Sequence, residues 1–238
     1  MLFPQPAYRH AAYFAPAPDS LAWDLGSRWL GRCARIGQVH SQPLPAGWTS
    51  AEFAQCTQEP RRYGWHATLK APFTLAPDRT TADIDAGFFG VSAGVAAPFL
   101  VPLKLVRLGH FLALVPREPS APLQRLAEAC VRVLHDCAAP LPSSEIERRS
   151  RGGLSPHQAE MLALWGYPYV MDEFVFHLTL TGRLDGMPEE RVTQLMQHAQ
   201  SWFAPLLCDG LLIDAVSWFV EDAPGANFRW VQRFGFVP

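Results

Sequence analysis

Apolar positions follow a helical period in some stretches of this chain and alternate in others, and the two patterns divide it into elements. Tyr8 to Phe14 reads as a first strand, broken by Pro16 and Pro18. Asp19 or Ser20 can cap a helix whose stripe of Leu21, Leu25, Trp29 and Leu30 carries it to about Arg35. The segment from Gly37 to Trp48, with Pro43, Pro45 and Gly47, is a loop, and a short helix over Ser50 to Gln55 follows. Thr80 to Ala96 forms a weaker helix, interrupted by Gly87, Gly90 and Gly94. Phe99 to Arg107 and His110 to Val115 pair as strands around Gly109, and Ala121 to Cys137 is a helix with Leu123, Leu126, Val133 and Leu134 on one side.

After Pro140 and Pro142 the chain turns polar and basic. Ser143 to Gly153 reads as a mobile loop, whose Arg148, Arg149 and Arg151 are anion ligands only if it folds inward. Ser155-Pro156 opens a helix to about Trp165, and a further helix spans Pro188 to Phe203. A strand within Leu206 to Glu221, a turn at Asp222-Ala-Pro-Gly and a last strand from Asn227 to Phe236 end the chain. Helices, one central strand and later hairpin strands occur in each half. The expectation is an α+β, bilobal duplicated unit of antiparallel sheets around a central cleft, helices outside. It forms a single domain over residues 1–238 with lobes near 1–118 and 119–238, and its terminal strands are free to cross between lobes.

The duplication is marked by one repeated word. His66-Ala67-Thr68-Leu69 and His177-Leu178-Thr179-Leu180 share the form His-x-Thr-Leu, of which composition predicts only about 0.04 copies, so two are not accidental. Each follows an aromatic residue, Trp65 or Phe176, and β-prone neighbours place both on strands. Strand alternation then puts His66 with Thr68, and His177 with Thr179, on one face, and the aliphatic residues behind. Two imidazoles and two hydroxyls on a shared cleft suit acid–base chemistry on an oxyanion. Lys70 lies two positions further along and is a candidate ligand for the reacting phosphate or for a second phosphate; the alternative is an exposed strand-end lysine. Tyr63 is out of register with His66 and is expected on the other face. Tyr13, Tyr167 and Tyr169 are candidates for the cleft wall, against core or rim packing. His10, His40, His110, His135, His157 and His198 share no spacing and read as surface or structural.

Bulk properties narrow the partners. The 238 residues are 49% hydrophobic and carry a net charge of −2, which supports a sizeable core and argues against a broad nucleic-acid surface. The five cysteines lack metal-type pairing and read as buried free thiols of a reducing compartment. The opening MLFPQPAYRH has no signal pattern and no run approaches a membrane span, so a cytoplasmic protein is expected, with no membrane contact and an oligomeric state left open.

The paired motif strands resemble the 2H phosphoesterase superfamily. Three longer words resemble one branch of it, the phosphonate-metabolism proteins encoded beside phosphonate-degradation genes: Tyr13 to Arg32, Arg61 to Ala76 and Leu164 to Gly182. The resemblance spans nearly the whole chain. It implies a two-lobed fold, a catalytic pair in His66 and His177, phosphate contacts from Thr68 and Thr179, and hydrolysis or transfer of phosphodiesters without metal or other cofactor. The leading expectation is a cyclic phosphodiesterase on a small phosphorylated sugar, without long nucleic acid as partner. Three alternatives stand beside it. One acts on 2′,3′-cyclic nucleotides or RNA ends, one binds a phosphorylated metabolite without turnover, and one is a metal hydrolase, for which no His-Glu-x-x-His motif is present and threonine is a poor zinc ligand.

Overall fold

The computed structural model describes residues 7–236; the first six residues of the opening segment read above for a signal lie outside them. In chain order the elements are β1 (Arg9–Phe14), α1 (Leu21–Leu30), α2 (Ser50–Cys56), α3 (Gln58–Tyr63), β2 (Ala67–Phe73) and α4 (Thr81–Ala93). Then come β3 (Phe99–Val101), β4 (Leu103–Leu108), β5 (Phe111–Pro116), α5 (Ala121–His135), α6 (Ser143–Ser150) and α7 (Pro156–Trp165). The chain closes with β6 (Leu178–Thr179), α8 (Glu189–Trp202), α9 (Ala204–Asp209), β7 (Leu211–Ile213), β8 (Ala215–Glu221) and β9 (Arg229–Gly235). The fold is α+β.

Local chemistry sets the ends of these helices. The Ser20 hydroxyl accepts from the Trp23 amide at the start of α1, and Gly31, at φ 75°, ends it five residues earlier than the apolar stripe suggests. Thr49 with Glu52, and Ser155 with Gln158, form reciprocal capping boxes. The polar segment after Pro142 is not a loop but α6, in which Glu145 binds both Arg148 and Arg149 at helical spacing. The expected strand within Leu206 to Glu221 is present as β8, with β7 before it, and α9 occupies the start of that stretch. Of the five cysteines, all free, Cys33, Cys130 and Cys137 are buried, Cys56 is half-buried, and Cys208 is exposed.

Seven strands form one sheet in the order β4-β5-β6-β2-β1-β8-β9, and β3 pairs with β7 in a separate ribbon. All pairings are antiparallel. The sheet does not divide at residue 118. The early strands β4 and β5 extend it beyond β6, and the late strands β8 and β9 extend it beyond β1, so the two halves of the chain interleave. The result is that β2 and β6, which carry the repeated word, lie side by side at the centre, with Ala67 opposite Leu178. Both of those residues are fully buried, as is Leu180, with Leu69 nearly so, and this aliphatic face rests on the core.

The residues in front of each histidine anchor the strands. Trp65 is fully buried, stacked on Phe203 with 5.5 Å between ring centroids, and lies so close to α1 that a Cβ on Gly26 would sit 2.0 Å from its ring. That contact explains a glycine in the middle of a helix. Phe176 packs against Phe14, and Trp29 of α1 donates from Nε1 to the Leu180 carbonyl at 2.8 Å, tying the helix to the end of β6. Among the described residues no helix is long and apolar enough to cross a membrane.

Candidate active site

The pairing of Ala67 with Leu178, continued by one residue in each direction, sets His66 beside Thr179 and Thr68 beside His177. All four side chains leave the face opposite the buried Ala67 and Leu178, and all four line one cleft of about 580 Å³. The alternation read in the sequence therefore becomes a two-by-two array of imidazoles and hydroxyls across neighbouring strands.

Both imidazoles are oriented in the same way. His66 Nδ1 lies 2.8 Å from the Gly64 carbonyl and His177 Nδ1 lies 2.8 Å from the Val175 carbonyl, in each case two residues back. A carbonyl only accepts, so each Nδ1 carries the proton and Nε2 is the nitrogen left for chemistry. Gly64 reaches this position at φ 81°, where a Cβ would also strike Ala34, and it turns the chain from α3 into β2. The Thr68 hydroxyl is 3.3 Å from His66 Nε2. Tyr13, fully buried and opposite Thr68 in the β1–β2 register, stacks on His66 with 3.9 Å between centroids, and Phe111 lies 5.8 Å from His177.

Burial pushes the His66 imidazole down to about 4, its bond to Gly64 opposing this and the neighbouring His177 adding to it. Burial also lowers His177, against the stabilising bond to Val175. Both rings are therefore neutral at pH 7 before an anion arrives. We expect His66 to keep its neutral, Nδ1-protonated form down to about pH 5 and to titrate upward when inorganic phosphate is added, because a nearby anion favours imidazolium. Imidazole nitrogen NMR across pH measures this, and a free-protein midpoint near the ordinary 6.5 would contradict it.

Around the array stand arginines that periodicity did not reveal. Arg9 and Arg62 line the cleft and both bind the fully buried Glu221, which also accepts from the Gly225 amide at 2.9 Å. From α6, Arg148 and Arg149 line it as well, and together they hold the Glu145 carboxyl down to about 2. Arg183 is a further lining residue; Arg151 is not among them. Tyr167 lines the cleft, whereas Tyr169 is about half exposed and meets Tyr167 edge-on.

Two placements correct the sequence reading. Tyr63 does line the cleft, because residues 58–63 are helical and strand parity counted back from His66 does not apply to them. Lys70 does not share the face of His66 and Thr68. Tyr13 pairs with Thr68 but Ala12 pairs with Lys70, so Leu69 is an extra residue in the ladder and the bulge turns Lys70 to the opposite side. It lines a separate cavity and is only 4% exposed, neither in the cleft nor at a solvent-exposed strand end. For metals, no group of three or more His, Cys, Asp or Glu among the described residues is placed to hold an ion.

The cleft can be set beside known proteins. A chain from Laribacter hongkongensis (strain HLHK9), named ribose 1,5-bisphosphate phosphokinase PhnN, is 38% identical over 93% of this chain and 50% of its own length. One of the same name from Janthinobacterium sp. (strain Marseille) is 34% identical over 96% of this chain and 51% of its own. This chain thus spans about half the length of the curated relatives it matches. Solved structures align along nearly the full length of both chains but loosely. A crystal structure of a phosphoesterase has a TM-score of 0.44 at 11% identity, covering 97% of this chain and 99% of that one. E. coli LigT has scores of 0.43 with NADP+, at 12% identity, and 0.43 with 3′-AMP, at 10%; each covers 98% of this chain and 100% of that one. A family model described as "Protein of unknown function (DUF1045)" matches residues 68–229, a span that holds Thr68, His177 and Thr179 and starts just after His66. That match covers more than half of the sequence, and the chain belongs to the DUF1045 family.

Proposed function

We propose that this chain is a metal-independent phosphoesterase that opens a cyclic phosphodiester on a small phosphorylated sugar, with His66 and His177 as its acid–base pair. The observation that carries this reading is the pairing of β2 with β6, which brings two identically oriented imidazoles and two threonine hydroxyls onto one cleft wall rimmed by arginines. Arg9, Arg62, Arg148, Arg149 and Arg183 outnumber Glu59, the carboxylate among the residues that line the cleft, and so favour an anion there.

In the proposed reaction His66, the ring pushed down to about 4, is neutral and takes a proton from water as its oxygen bonds to phosphorus. The bond to one ring oxygen of the cyclic ester breaks, and His177, protonated beside the bound anion, gives its proton to the leaving alkoxide. Thr68 and Thr179 hold the non-bridging oxygens as charge builds on them. The product is a phosphomonoester bearing a free hydroxyl.

The relatives' name does not conflict with this. Neither lysine of this chain, Lys70 or Lys104, follows a glycine, so the Gly-Lys phosphate loop of many kinases is absent from the sequence. We assign the named kinase activity to the half of those proteins that this chain does not match, and take from the name a ribose phosphate as the sugar class. Phosphonate breakdown, the setting implied by the resemblance, is where such a substrate would arise.

The test is hydrolysis of ribose 1,2-cyclic phosphate and the four nucleoside 2′,3′-cyclic phosphates, with and without EDTA. EDTA-resistant turnover with the ribose compound preferred is the expected result. Preference for nucleotides would move the substrate to RNA ends, and activity abolished by EDTA and restored by a divalent metal would overturn the mechanism.

A further inference from the structure

The cavity to which the β2 bulge sends Lys70 has a volume of about 360 Å³ and lies between β2, α5, α6 and α7. It shares Ala71, Pro72, Arg149 and Tyr167 with the catalytic cleft as a common wall. Three basic side chains line it, Lys70, His135 and Arg149, and no carboxylate does. Lys70 is more than nine-tenths buried, yet the titratable groups beside it are Arg149 and two cysteine thiols that burial keeps neutral, with no acid among them, and its ammonium rests 5.3 Å from the Phe73 ring. His135 Nδ1 is buried without a hydrogen-bond partner.

The unpartnered His135 nitrogen, and an ammonium with no acid beside it, leave hydrogen-bonding capacity among the residues that line this cavity, which a ligand with acceptor oxygens would satisfy. Burial also lowers Lys70 to about 8, so it is a cation that a bound anion would stabilise strongly. Arg149 is already oriented by Glu145 and by the Gly166 carbonyl, and its guanidinium lies over the Tyr167 ring at the boundary between cavity and cleft.

We infer that the Lys70–His135–Arg149 cavity is a second anion site, which takes a phosphate group separate from the one that reacts between His66 and His177. The inference rests on the proposed reaction only for what that phosphate belongs to. It is either a second phosphate ester on the substrate or a free small phosphate held beside it, and the chemistry of recognition is the same.

Inorganic phosphate titrated into the wild type, Lys70→Met and His66→Ala, with the His135 imidazole followed by NMR, tests the site itself. His135 should respond in the wild type and in His66→Ala, with phosphate affinity lowered tenfold or more in Lys70→Met. Lys70→Met should also melt at a higher temperature than the wild type, since it removes a largely desolvated ammonium that has no acid beside it, and Lys70→Arg should bind phosphate better than Lys70→Met. A His135 signal unmoved by phosphate, or equal affinity in Lys70→Met, overturns the inference. Steady-state kinetics on one ribose cyclic phosphate with and without a second phosphate ester then identifies the source. A KM raised tenfold in Lys70→Met only for the doubly phosphorylated compound assigns the site to the substrate. A dependence of turnover on added phosphate, lost in Lys70→Met, assigns it to a separate ion. Absence of turnover on every compound would sink the catalytic proposal and leave the binding result to decide this one.

Discussion

Alanine at His66 or at His177 should lower turnover of a cyclic phosphate by roughly 10²–10⁴-fold while leaving the fold intact. Each imidazole serves a different proton in the proposed reaction, and each is held by a backbone carbonyl that survives the substitution. Both rings line the cleft rather than the core, so removing them widens the cleft and leaves no closed void beneath the sheet. The double variant should be little slower than the worse single one, because an acid without its base has no pathway to accelerate. Single-turnover rates with matched unfolding curves are the measurement. Equal rates in wild type and both variants, with all three folded, would place the chemistry elsewhere in the molecule or reduce the cleft to a binding site.

This array was legible because its information is local. His-x-Thr-Leu states which residues share a strand face, and the buried Trp65 and Phe176 state which face is core. Three things were not local. The adjacency of β2 and β6 depends on strands far apart in the chain, and nothing in either word specifies whether the two strands stand opposite across a gap or hydrogen-bonded side by side. The bulge at Leu69 is set by pairing with β1, so alternation counted along β2 alone sent Lys70 to the wrong side. Helix α6 has no buried residue and hence no apolar period to read; its order comes from Glu145 with Arg148 and Arg149 and from the bond of Arg149 to Gly166. The capping and turn residues were more readable, as Ser20, Ser155-Pro156 and Gly109 show, because each acts within a few positions of itself.

Glu221→Ala should cost about 3 kcal/mol of stability and weaken phosphate binding in the same variant. Its carboxylate is fully buried at the end of β8, accepts from Arg9 at 2.5 Å, from Arg62 and from the Gly225 amide, and so joins β1, α3 and the β8–β9 turn. Removing it leaves two guanidiniums facing each other with nothing between them. They keep partial access to water, which places the cost at the lower end of the range for a broken buried pair. The same loss frees Arg9 and Arg62 to swing, and the cleft then meets an anion with mobile donors in place of fixed ones. Glu221→Gln keeps the shape and one acceptor oxygen, so it should fall between alanine and wild type. Urea unfolding gives the stability and phosphate titration the affinity. If Glu221→Ala unfolds within about half a kcal/mol of wild type, the triad is not what holds these strands. If it is destabilised but binds phosphate as tightly, Arg9 and Arg62 are structural residues that happen to border the cleft, and the anion is held from the α6 side by Arg148 and Arg149.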